Sequence, residues 1–335
     1  MAFCPSKRLC GLALAILLAA APAHAADSAR LLAYGLQQSA NAMTVAATYC
    51  LLAVAYALLH GITGRIVLSF GDVATFAAFA AVYAMTLQLY ENIALPLAMA
   101  LAFLFAAAGA VAVGIVVQRR VFTPLVASSQ AIMIASIGVA IVIQEIFRIQ
   151  SHARDQWLPP LLAQPAVMAT GSAYPVSMTA MQLLVIAIAA ALLTCLLAVM
   201  RLTRSGRLWR ACAQNRQLTE LCGISTAAVL AGTAAAAAFF AAASGWIVAL
   251  AYGGVSFHMG TMLGLKALFA AIIGGFGTIG GAILGGLVLA AVETAWSAAF
   301  PLVYRDAAVF TLIITILVLK PEGLLGVARR HDSEV

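Results

Sequence analysis

Charged positions are so sparse along this chain that it reads as a succession of apolar runs. Residues 42–60, 66–88, 95–117, 125–147, 180–200 and 226–250 each approach the roughly 20 residues that one helical crossing of a bilayer requires. Two short runs follow, 260–275 and 306–319, flanking a full-length one at 277–298 that a Gly-rich passage introduces. The pattern predicts an all-α, polytopic integral membrane protein with eight or nine transmembrane helices. An earlier run, Leu9 to Ala21, is too short to span. It follows Lys7 and Arg8 and precedes Ala23, His24 and Ala25, the arrangement of a secretory signal peptide cleaved after Ala25; a retained first helix is the alternative.

Composition narrows the picture further. Of 335 residues, 64% are hydrophobic and 9% charged, so the water-facing parts are little more than connectors and a sizeable soluble domain is excluded. The net charge of +7 does not argue for nucleic acid, because in a membrane chain Lys and Arg are retained on the cytoplasmic side. The loop from Arg201 to Ser225 carries Arg201, Arg204, Arg207, Arg210 and Arg216 against the single acid Glu220, which makes it cytoplasmic. Nine alternating spans then put Arg65, Arg119, Arg120, Lys320, Arg329 and Arg330 on the same side, with Arg30, Arg148, Arg154 and Arg305 outside. Residues 26–41 also fall outside, where a chain begins once a signal peptide is removed. Eight spans, with 260–275 failing to cross, would send the basic C-terminus outside. The organisation expected is therefore a signal peptide at 1–25, an external N-terminus at 26–41, a membrane domain at 42–320 containing the loop 201–225, and a cytoplasmic tail at 321–335. Within that loop Leu208, Ala211, Leu218, Leu221 and Cys222 recur at helix-compatible steps, and Gly206 and Gly223 bracket one short amphipathic helix.

Enzymatic motifs are missing. A Walker A loop needs Gly before Lys, whereas Lys7, Lys266 and Lys320 follow Ser, Leu and Leu. There is no HExxH pair, and His60, His152, His258 and His331 are scattered. Cys50, Cys195, Cys212 and Cys222 have neither CxxC nor Cys/His spacing, so no zinc, other metal or cofactor is expected. Asp72 lacks the second intramembrane carboxylate that an aspartyl protease would need.

What remains is membrane architecture. Gly277, Gly281 and Gly285 fall four apart, a helix face that admits close backbone approach, either within the chain or toward a second subunit. Asp72, Glu145, Lys266 and Glu293 are the ionisable residues within apolar runs, and their cost in lipid makes them functional suspects. Glu145 has Arg148 a turn away, and Lys266 can snorkel. Asp72 and Glu293 adjoin Gly-containing segments and divide between a solute path and structural hydrogen bonding. Ser69, Phe70, Gly71 and Ser256, Phe257 open similar small-residue runs in helices of opposite direction, the mark of inverted repeats whose interrupted helices meet at a midplane site.

At this point the C-terminal half resembles a known family. The stretch Gly274 Gly275 Phe276 Gly277 Thr278 Ile279 Gly280 Gly281 Ala282 Ile283 Leu284 Gly285 Gly286, closed by Glu293, is similar to the signature of branched-chain amino acid ABC transporter permeases of the LivH/LivM type. So are Tyr304 Arg305 Asp306, Lys320 Pro321 Glu322 Gly323 Leu324 Leu325 Gly326, and Arg210 Ala211 Cys212 Ala213 Gln214 Asn215 leading to Gly223. The likeness runs from about Leu36 to Gly326 and is closer to LivH. It departs at Ser69 Phe70 Gly71 Asp72, where the family usually carries an Asn and a His beside a Gly. The resemblance implies a bacterial inner-membrane subunit that pairs with a second permease, receives solute from a periplasmic binding protein and is driven by two cytoplasmic ATPases. Related permeases serve urea and short amides as well as branched-chain amino acids. It further implies that loop 201–225 couples to the ATPase, with Arg210, Gln214, Asn215, Glu220 and Gly223 as contacts, while the burial of charge in apolar runs points to Asp72 and Glu293 as lining the path. A stand-alone secondary transporter or channel, with Asp72 and Glu293 as ion-coupling carboxylates, is the competing reading; a membrane enzyme comes third.

Overall fold

The computed structural model describes residues 28–91, 93–125, 128–159, 161–162, 164–169, 176–275, 277–320 and 323–325. The expected signal peptide and most of the expected C-terminal tail, including Arg329 and Arg330, lie outside the described residues. The helices are α1 (Ser28–Thr63), α2 (Phe70–Tyr90), α3 (Leu95–Val117, prolonged by a π-helical turn at Gln118–Phe122), α4 (Ser129–Gln150) and α5 (Ala180–Leu202). After these come α6 (Arg204–Gln214), α7 (Arg216–Leu221), α8 (Thr226–Tyr252), α9 (Met259–Gly274), α10 (Ile279–Ala299) and α11 (Arg305–Leu319). The polytopic all-α architecture is as the apolar runs predict.

Among the described residues eight helical spans are long and apolar enough to cross a membrane, and α9 is a shorter apolar helix. Its 16 residues rise about 24 Å at 1.5 Å each, against a hydrocarbon core of roughly 30 Å. Its direction is nonetheless clear. Tyr34 of α1 donates to the Ala298 carbonyl and Cys50 to that of Ile283, so α10 runs antiparallel to α1. The end of α9, joined to α10 by a tight turn, therefore points toward the same end of the bundle as Thr63. Residues past α11 return to that place: Leu324 N–H donates to Ile273 O at 2.6 Å and Leu325 N–H to Gly274 O at 3.0 Å, satisfying carbonyls that a helix C-terminus leaves open.

α1 and α8 form the centre, with α2, α3 and α10 packed on them and α5 and α11 at the periphery. The centre is built from small side chains. Ala98, Ala102, Ala106 and Ala110 make a buried stripe on α3, and a methyl group at Gly245 of α8 would overlap the Ala74 carbonyl of α2. Lipid supplies no hydrophobic drive between helices, so tight backbone approach and van der Waals contact hold the bundle together. Aromatic rings fill the wider seams, as where Phe79 of α2 stacks on Phe147 of α4 with ring centroids 4.7 Å apart.

At the end opposite Thr63 two short strand pairs appear that the sequence pattern does not announce. β1 (Gln156–Trp157) pairs antiparallel with β4 (Gly254–Val255), and β2 (Pro165–Ala169) with β3 (Val176–Thr179). The first ties the α4–α5 connection to the α8–α9 connection.

Loop 201–225 also differs from expectation. It holds two helices, because Asn215 ends α6 and its Oδ1 accepts from Leu218 N–H at 3.0 Å to cap α7. Gly206 is not the limit of a helix. It sits in the first turn of α6, where a Cβ would collide with the Met200 carbonyl. Gly223, with φ +79, does end the element. Trp209 anchors α6 to α1: a Cβ on Gly61 would strike the indole ring, whose Nε1–H donates to Leu58 O at 3.2 Å.

Candidate functional site

Gly277 stands outside the helix face predicted for it. It lies in the α9–α10 turn with φ +92, while Gly281 and Gly285 are in α10. These two press against α9: a Cβ at Gly281 would meet Gly274 O, and one at Gly285 would meet Ala270 O. Within this chain, then, the small-residue face joins α9 to α10, with Gly286 on the neighbouring side against Cys50 of α1.

That close approach positions the charges. Cα–Cβ bonds tilt toward a helix N-terminus, so Lys266 of α9 reaches back along α10 to Glu293. Its Nζ lies 2.9 Å from Glu293 Oε1 and 2.8 Å from Asp306 Oδ1 of α11. Tyr49 of α1 donates to Glu293 Oε2 at 2.6 Å. Arg305 Nε stands 3.3 Å from Glu293 Oε1 as an ion pair, yet makes no hydrogen bond among the described residues. Lys266 and Glu293 are buried, while Arg305 and Asp306 are partly exposed. Lys266 therefore does not snorkel to an interface; it is an interior cation shared between two carboxylates.

Lys266, Glu293 and Arg305 of this cluster line one side of a cavity of 540 Å³ between α1, α8, α9 and α10, and Asp306 stands directly beside the lining lysine. Apolar Val45, Val248, Met262 and Leu263 line the same cavity, and Gln38, Asn41 and Ser297 add polar groups toward the end opposite Thr63. A second cavity of 560 Å³ adjoins it, sharing Asn41, Val45 and Tyr252 and reaching Trp157 and Gln182.

Asp72 lies elsewhere. It sits in the first turn of α2, 2% exposed, where a carboxylate complements the helix N-terminus. Gln144 Nε2 of α4 donates to Asp72 Oδ1 and to Thr261 Oγ1 of α9, both at 2.7 Å. The two similar segments do come together here. Gly71 touches Gly260 and Gly264 so closely that no Cβ fits, and Tyr56 OH accepts from Gly71 N–H at 3.2 Å. Asp72 and Glu293 are thus apart, the former at a joint of α2, α4 and α9 and the latter in the cavity wall. Glu145 and Arg148 pair with each other at 2.5 Å on the exposed side of α4.

In the loop, Arg210 donates to the Met200 carbonyl, and Glu220 accepts from Thr226 and pairs with Arg216 at 3.5 Å. Gln214 and Gly223 are exposed. Sequence reasoning missed Arg305 and Asp306 as members of the charge cluster and Gln144 as the clamp on Asp72. The need of Lys266 for a counter-charge was the available signal for the former.

Comparison with known proteins places this architecture. The family model for the permease component of branched-chain amino acid transport systems matches residues 39–319. Over 293 residues, 87% of this chain and 95% of the relative, the sequence is 32% identical to the high-affinity branched-chain amino acid transport system permease protein BraD of Pseudomonas aeruginosa. It is also 32% identical over 295 residues, 88% of this chain and 96% of the relative, to the corresponding permease protein LivH of Escherichia coli. No solved structure matches the chain. A family model covering nearly all of the described bundle, and relatives matched over almost their full length, establish that this chain belongs to the permease components of branched-chain amino acid transport systems.

Proposed function

We propose that the chain is the permease subunit of an ABC importer, moving branched-chain amino acids across a bacterial inner membrane. The end carrying Thr63, the arginine-rich loop and Lys320 faces the cytoplasm, and the mature N-terminus is periplasmic. A second permease subunit completes the path, a periplasmic binding protein delivers solute to the cavity beside Glu293, and two cytoplasmic ATPases drive alternation between outward-open and inward-open states. Asp72 serves by fixing where α2 and α9 cross.

The observation that supports this reading best is the surface of α6 and α7. One face is anchored through Trp209, Cys212 and Thr219, while Leu218 and Leu221 project outward, Leu221 at 84% exposure, beside the charged Glu220. Apolar side chains on a short helix with a fixed back face suit insertion into a groove of a partner. Reconstitution with the partner subunits should give ATP-dependent leucine uptake; uptake by the chain alone, driven by an ion gradient, would sink the importer reading.

Gly223→Val tests the coupling element. At φ +79 a β-branched side chain is strained by about 1–3 kcal/mol, which should tilt α7 while leaving the membrane helices intact. Gly223→Val and Leu221→Arg should each lower ATPase co-purification by about tenfold, the effect of losing roughly 1.4 kcal/mol of binding. Wild-type co-purification in both variants would place docking elsewhere.

A further inference from the structure

We propose that the charge cluster in the cavity wall is a binding site for the α-amino acid zwitterion itself, with Lys266 and Arg305 taking the carboxylate and Glu293 and Asp306 the ammonium group. This rests on the importer reading and gives it a place where the solute is held within the permease.

Charge balance is the first argument. Two cations and two carboxylates face one another within 3.5 Å, so the cluster is neutral overall. A neutral ligand carrying one charge of each sign can enter it and leave no buried charge unpaired. A ligand with a single charge would leave one partner uncompensated, which is costly at low dielectric. An uncharged amide would break ion pairs and offer only weaker dipoles in return.

The pairing is also incomplete in the right way. Lys266 is divided between Glu293 and Asp306, so neither acid has a cation to itself. Arg305 Nε is buried with no hydrogen-bond acceptor among the described residues, although Glu293 Oε1 is 3.3 Å away. An incoming carboxylate supplies that acceptor. As Lys266 and Arg305 turn to it, the ammonium group replaces them at Glu293 and Asp306. Tyr49 holds Glu293 Oε2 at 2.6 Å throughout and so keeps the acid in place.

The rest of the cavity fits an aliphatic side chain. Val45, Val248, Met262 and Leu263 line the space next to the charges, and methionine adapts its shape to branched neighbours. At 540 Å³ the cavity lies within the roughly 300–1,000 Å³ usual for small-molecule sites.

The test is equilibrium binding to the transporter complex in lipid nanodiscs without its solute-binding protein. The probes are L-leucine, 4-methylpentanoate, which lacks the ammonium group, and 3-methylbutylamine, which lacks the carboxylate. Leucine should bind at least about tenfold more tightly than either analogue, as loss of a charged hydrogen-bonding partner predicts. Arg305→Gln should weaken leucine and 4-methylpentanoate but not 3-methylbutylamine, and Asp306→Asn should weaken leucine and 3-methylbutylamine but not 4-methylpentanoate. Both side chains are partly exposed, and either change leaves the Lys266–Glu293 pair in place. Equal binding of the three probes, or wild-type leucine binding in both variants, overturns the proposal. With the binding protein and ATP added, uptake without leucine held by the permease overturns the site and leaves the importer reading standing. Binding without ATP-dependent uptake overturns the importer reading and leaves the site.

Discussion

Gly281→Leu should prevent the α9–α10 hairpin from closing, and the purified protein should lose most of its yield and its cooperative melting transition in detergent. Ordinary overpacking costs about 1–3 kcal/mol because neighbouring side chains can yield. Here the obstacle is backbone, since a Cβ at Gly281 already runs into the carbonyl of Gly274, and parting the two helices forfeits the close contact on which association in lipid depends. The neighbouring position is the control. Gly280 is exposed, in the same helix, with nothing within 4 Å of a Cβ, so Gly280→Leu should express and melt like the wild type. Equal behaviour of the two variants would show that α9 and α10 are not joined along this face.

Lys266→Met should cost about 3–5 kcal/mol, the usual result of removing one partner from a buried ion pair. The substitution keeps an unbranched apolar stem one atom shorter than lysine and leaves Glu293, 6% exposed, with Tyr49 and an imperfectly aligned Arg305. Because the penalty comes from a stranded carboxylate, Lys266→Met combined with Glu293→Gln should recover more than half of the lost stability, read as the midpoint of thermal unfolding in nanodiscs. A double variant no more stable than the single one would mean that packing of the lysine stem, and not charge, accounts for the loss.

Much of the fold was legible because bilayer thickness imposes one length on every crossing. The runs at 95–117 and 180–200 became α3 and α5 with almost no adjustment. The α9 segment was hard to judge since 16 residues fall between a span and a buried helix, and only its hydrogen-bonded neighbours reveal its direction. The strand pairs were hidden for another reason: a two-residue pairing such as Gln156–Trp157 with Gly254–Val255 is too short to show alternation. In the basic loop the helical spacing was visible, but steps measured across Asn215 merged two helices, because a cap restarts the phase. Glu293 and Lys266 stood out as charges inside apolar runs. Arg305 lay just before the last run and Asp306 was its first residue, so neither did, and only the packing of α11 brings them to the lysine. Gln144 was overlooked because only ionisable side chains were counted, although a buried amide is equally in need of partners.

The Trp209 contact makes α1 a strut. From Gly61, where the indole seats, to Tyr49, which holds Glu293, the helix runs without interruption, and 12 residues of α-helix span about 18 Å. A continuous hydrogen-bonded helix has little compliance along its axis, so an axial displacement at the arginine-rich end arrives at the far end nearly undiminished. Any push on α6 is then delivered to the Tyr49 hydroxyl, and its size there is set by the stiffness of a single helix with no intervening loop to absorb it.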